Sequence, residues 1–133
     1  MKLPPAVTIH GLQMARVALA PGLPVTLLSG PGAATYAGCG WWRAVMAAAG
    51  HTGPDVLDCG DAAGRALEAL RAGCRWLVLD RLCPAFPRIA QRAALHGACL
   101  LPSRPASLDL AEHGAERRLH LWLSPDNPGD SPG

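Results

Sequence analysis

Val56-Leu57-Asp58-Cys59-Gly60-Asp61 runs through an alanine-rich segment, 62–73, into Trp76-Leu77-Val78-Leu79-Asp80. The order is a short apolar run, small turn residues, an amphipathic segment, a glycine and a second apolar run. That is the sequence form of a strand, a helix and a parallel strand. Ala63, Ala66, Leu67 and Leu70 share one helical face, and Arg65, Glu68 and Arg71 share the opposite one. Asp61 stands where an N-cap would accept the first free N–H groups. Asp61–Arg65 and Glu68–Arg71 have the spacing of helical ion pairs, and Gly73 has the place of a C-terminal stop.

Working outward, the same pattern recurs. Upstream, 7–9 predicts a first strand and 11–20 a helix, which Pro21-Gly22 ends. Pro24-Val25-Thr26-Leu27-Leu28 predicts a buried strand. Residues 29–40 read as a long loop of small residues, and 41–49 as a helix with Trp41, Val45, Ala48 and Ala49 on one face. Downstream, a helix starts between Pro84 and Pro87 and buries Phe86, Ile89, Ala90 and Ala93. A fifth strand follows at 98–101. Residues 108–114 read as one more short helix, and 119–123, alternating at period two, as an edge strand. The Pro-, Gly-, Asp- and Ser-rich end, 124–133, reads as a disordered tail. The expectation is one α/β domain over 1–123. Its core is a single open, mostly parallel sheet of five or six strands, flavodoxin-like or Rossmann-like, with helices on both faces and a C-terminal edge strand. The segment 68–80 also resembles one unit of a TIM barrel, but the chain is too short for eight.

The bulk composition narrows the function classes. The chain has 133 residues and a formal charge of +2, with no basic stripe interleaved with aromatics, which argues against nucleic acid. The five cysteines (Cys39, Cys59, Cys74, Cys83, Cys99) are odd in number and lack C-x-x-C spacing. This argues against a disulfide framework or a zinc site and for a reducing cytoplasm. The N-terminus lacks the apolar core of a signal peptide, and no apolar run is long enough to span a bilayer.

Parallel sheets keep their sites beyond the carboxyl ends of the strands. The residues expected there are His10, Ser29, Asp58 with Cys59, and 80–83. Ser29-Gly30-Pro31-Gly32 could let backbone approach an anion, or could simply shape a turn. Cys39, between Gly38 and Gly40 before a helix, is a candidate nucleophile, with His10 as base and Asp58 as its orienting partner. Asp58, Asp61 and Asp80 could gather round a hard cation, but each has an ordinary structural role as cap or turn former, and no metal is assigned. His51, His96, His113 and His120 are scattered surface groups. Trp41-Trp42 cannot both face one core position, so Trp42 is a candidate for ligand stacking or a subunit contact. Trp122 and the 119–123 strand are candidates for self-association.

The stretches 24–43 and 56–73 resemble a group of small, uncharacterised α/β proteins of GC-rich bacteria. The resemblance implies the fold and singles out 29–40 and 58–61, but implies no activity. The expected function is therefore a cytoplasmic domain binding a small polar or anionic metabolite at the strand ends. Ser29, Gly30, Gly32, Gly40, Trp42, Asp61 and Asp80 would touch the ligand. The alternatives are a lyase- or hydrolase-like enzyme using His10, Cys39 and Asp58, or a homo-oligomeric module. No cofactor is named.

Overall fold

The computed structural model describes residues 2–125. The predicted tail lies outside them from residue 126 onward. The chain forms β1 (Ala6–Ile9), α1 (Leu12–Leu19), β2 (Thr26–Ser29), α2 (Ala33–Tyr36), α3 (Gly38–Ala49), β3 (Asp55–Asp58), α4 (Ala63–Arg71), β4 (Trp76–Val78), α5 (Phe86–Leu95), β5 (Cys99–Leu101), β6 (Ser107–Asp109) and α6 (Ala115–Leu123). The strands make one open six-stranded sheet in the order β5-β4-β3-β2-β1-β6. Every pairing is parallel. The α/β parallel architecture is the expected one.

Its winding differs from expectation in one respect. From β1 to β5 each strand is laid beside the one before it, always in the same direction. Right-handed crossovers repeated in one direction keep their helices on one side. Accordingly, Val7, Ile9, Leu27, Leu57, Leu77 and Leu79 pack in one cluster with buried residues of all six helices. The opposite face carries Leu28, Val56 and Val78, packed by Leu3, Trp76 and Leu101, with no helical residue among those described. Helices therefore cover one face, not both. On the second face Leu3 packs from the N-terminal segment, and Arg104, from the link 102–106 that joins one edge strand to the other, bonds Asp58 and Thr8. Thr26 Oγ1 donates to the Pro4 carbonyl at 2.9 Å, tying the N-terminal segment down.

Three local expectations are corrected. The loop 29–40 is shorter than predicted, because α2 and the first turn of α3 fall inside it. Residues 107–109 form the edge strand β6 instead of starting a helix. There Thr8 Oγ1 and Ser107 Oγ lie 2.7 Å apart across the β1–β6 ladder. Residues 119–123 lie in α6, not in a strand. Leu119, Leu121 and Leu123 alternate, but Ala115, Leu119 and Leu123 are also spaced by four. The helical register wins because it buries those three and leaves Leu121 outside. Asp61 is not the cap of α4. Ala62 holds that position, with no side-chain cap, and Arg65 pairs with Glu68 at 3.1 Å.

Candidate functional site

Above the carboxyl ends of β2, β3 and β4 lies a cavity of about 380 Å³, lined by Pro31, Gly32, Asp58, Gly60, Asp61, Val78, Asp80 and Arg104. Two of its walls are backbone. Gly32 and Gly60 both have positive φ, and a Cβ on Gly60 would stand 3.6 Å from the Cα of Gly32. Glycine at both positions supplies the left-handed backbone that the β2 and β3 turns adopt here. The third turn is tied to the second, since the Asp80 N–H donates to the Gly60 carbonyl at 2.7 Å.

Asp58 and Arg104 form the floor. Asp58 ends β3 on the face away from the helices, with its side chain 4% exposed. One carboxylate oxygen accepts the Gly60 N–H at 2.7 Å, and the other accepts Arg104 Nη1 at 2.7 Å. Arg104 Nη1 also donates to the Ser29 carbonyl at 2.8 Å, and Nη2 donates to Thr8 Oγ1 at 2.9 Å. One guanidinium thus ties together the ends of β1, β2 and β3. Its planar fork suits this better than an ammonium could. Asp80 Oδ1 accepts the Leu82 N–H at 2.9 Å and so shapes its own turn. Asp61 is exposed at the rim.

The structure therefore gathers four expected residues, Gly32, Asp58, Asp61 and Asp80, and adds Arg104. Ser29 and Gly30 sit below them in the framework. Ser29 Oγ is buried, donates to the Gly30 carbonyl and accepts the Asp58 N–H at 2.9 Å. Gly30 backs against His10, where a Cβ would stand 2.9 Å from the ring. Gly40 lies in the exposed first turn of α3, where an added Cβ would meet nothing.

Other expected residues are placed elsewhere. Trp42 is completely buried, and its indole donates to Asp55 Oδ1 at 2.9 Å, at the start of β3 instead of its end. Trp41 packs against it with ring centroids 6.0 Å apart. Trp122 donates its indole N–H to the Ala6 carbonyl at 2.8 Å. The set of Cys39, His10 and Asp58 does not assemble as drawn. The carboxylate partner of His10 is Asp109, at 2.9 Å, while Asp58 is committed to Arg104. Cys39 packs against the helical-face core. Burial, followed by the charge of Asp58, pushes the Cys59 thiol up to about 12, so it is a poor nucleophile. No group of three or more metal-ligating side chains is arranged to hold a metal ion among the described residues. Nor is any described helix long and apolar enough to cross a membrane.

Arg104 lies within a proline-bounded link, Pro102-Ser103-Arg104-Pro105, and no spacing in the sequence joins it to Asp58. Its signal was only that a lone cation sits between prolines just after a strand. Compared with known protein families, curated proteins and solved structures, the chain matches none.

Proposed function

We propose that the chain is a binding domain for a small polar molecule held above the Asp58–Arg104 pair. The observation that carries this reading is the cavity formed by three strand-end turns over a prearranged ion pair. Binding sites of this fold class lie at strand ends, and polar groups fixed in advance cost little ordering on binding. The lining has Asp58, Asp61 and Asp80 against one cation, Arg104. That balance favours hydroxyl and ammonium donors over phosphates and carboxylates, so of the polar and anionic ligands expected from sequence the polar class is supported. All five cysteines are free thiols, which supports a reducing, cytoplasmic setting.

A thermal-shift screen with polyols, amino sugars, polyamines, sugar phosphates and keto acids tests the reading. A probe at one hundred times its dissociation constant stabilises the fold by about 2.7 kcal/mol. The expected hits are polyols, amino sugars or polyamines, and Asp80→Asn should weaken them. Hits confined to the phosphates and keto acids, or none at all with well-folded protein, would overturn it.

A further inference from the structure

A second group of polar side chains stands on the same rim, outside the cavity. His10 follows β1, and Asp109 ends β6 beside it. Asp109 Oδ1 accepts two hydrogen bonds, from His10 Nε2 at 2.9 Å and from the Ala111 N–H at 2.9 Å. A carboxylate only accepts, so Nε2 carries a proton, and in the neutral ring Nδ1 is then the nitrogen with the lone pair. Among the described residues Nδ1 meets no hydrogen-bond partner. The bare Cα of Gly30 is what admits the ring. A Cβ there would stand 2.9 Å from both Nδ1 and Cε1 of His10, and 3.1 Å from the Tyr36 hydroxyl. The ring of His10, just after β1, and the hydroxyl of Tyr36, at the end of α2, thus both lie against the Cα of Gly30 and close to each other. Their orientation is fixed by β6 and by the turn after β2.

We propose that His10 and Tyr36 form a general-base site for hydrolysis of small neutral carboxylic esters, with Asp109 as the positioning residue. A water at Nδ1 attacks the acyl carbon as its proton passes to His10. The carbonyl oxygen, as it gains negative charge, accepts from the Tyr36 hydroxyl. The carbon–oxygen bond to the leaving group then breaks, and the leaving oxygen takes the proton back from His10. The products are an acid and an alcohol. Asp109 stabilises the imidazolium between the two transfers. Water is the nucleophile because Ser29 Oγ is committed to the Asp58 N–H and the Gly30 carbonyl. A neutral acyl group fits better than a phosphoryl group because Arg104 is held by Thr8, Ser29 and Asp58. The proposal stands whether or not the neighbouring cavity binds a ligand.

The test is hydrolysis of p-nitrophenyl acetate, read with the ¹⁵N shifts of His10. The wild type should show the Nε2–H tautomer and exceed free imidazole at equal concentration. His10→Gln should lose about 100-fold in kcat/KM. Asp109→Asn should lose at least about tenfold and mix the tautomers. Tyr36→Phe should lower kcat with little change in KM. Tyr36 is 69% exposed, so that variant keeps its fold. A wild-type rate no greater than that of imidazole would overturn the proposal. So would an Nδ1–H tautomer, or a Tyr36→Phe variant as fast as wild type. If His10→Gln fails to fold, the wild-type rate, the nitrogen shifts and Tyr36→Phe still decide.

Discussion

Arg104 Nη1 and Asp58 Oδ2 lie 2.7 Å apart, although the two residues are 46 positions apart in the chain. Arg104 belongs to the link that carries the chain from one edge of the sheet to the other, and Asp58 ends a central strand. The pair therefore closes the fold as well as flooring the cavity. Removing the cation leaves a buried carboxylate without its partner, which costs more than the pair itself contributes. Arg104→Ala should lower unfolding stability by about 3 kcal/mol in urea titration. Adding Asp58→Asn should recover part of that loss, so the double mutant should be less destabilised than the sum of the singles. Strict additivity would show that the two residues do not act together.

Gly30→Ala places a methyl group 2.9 Å from the His10 ring. The ring or the turn must shift. The expected cost is about 1–3 kcal/mol in thermal or urea unfolding, with the His10–Asp109 hydrogen bond lost from ¹⁵N spectra. An unchanged melting temperature together with an intact hydrogen bond would contradict the close packing.

Trp42→Phe tests whether that residue is core. It removes part of a fully buried ring and leaves Asp55 without the indole donor. Stability should fall by about 1–3 kcal/mol. Binding at the distant strand-end cavity should not change, as read by the thermal shift of any ligand found there.

The thiols should separate by burial. Burial raises the Cys59 and Cys74 thiols to about 12 and about 11, while Cys99 is exposed. Iodoacetamide at mildly alkaline pH should label Cys99 well before Cys59 or Cys74, as followed by mass spectrometry. A raised thiol in the fold means that the native state holds its proton after the unfolded state has released it. That contribution to stability is complete below the ordinary value of 9.0 and is lost as pH rises through 11 and 12. Urea midpoints measured upward from pH 9 should therefore fall, and replacing both residues with Ala should flatten the slope.

Much of this was legible in local pattern. The segment 56–80 announced β3, α4 and β4, because strand, amphipathic helix and stop glycine each left their own signal. The likeness of 68–80 to a barrel unit did not reveal the winding, because one right-handed strand–helix–strand unit is the same whether later helices fall on one face or on both. What stayed hidden depended on tertiary choice. Leu119, Leu121 and Leu123 fit both periods, and only the core could choose between them. Asp58 could be placed at the rim from topology alone. Arg104 could not, because its partners come from three other strands. Nor could His10 be matched with Asp109, since the order that puts β6 beside β1 is not written in either segment.

The central claim is that a polar ligand binds above Asp58 and Arg104, and backbone amide NMR tests it most directly. Uniformly ¹⁵N-labelled protein would be titrated with pooled polyols, amino sugars and polyamines. The account predicts saturable shifts at Gly32, Gly60, Asp61 and Asp80 and at the Arg104 side chain, absent in Asp80→Asn. No saturable shift at those positions, or shifts gathered instead around Leu3 and Trp122 on the other side of the link, would contradict it.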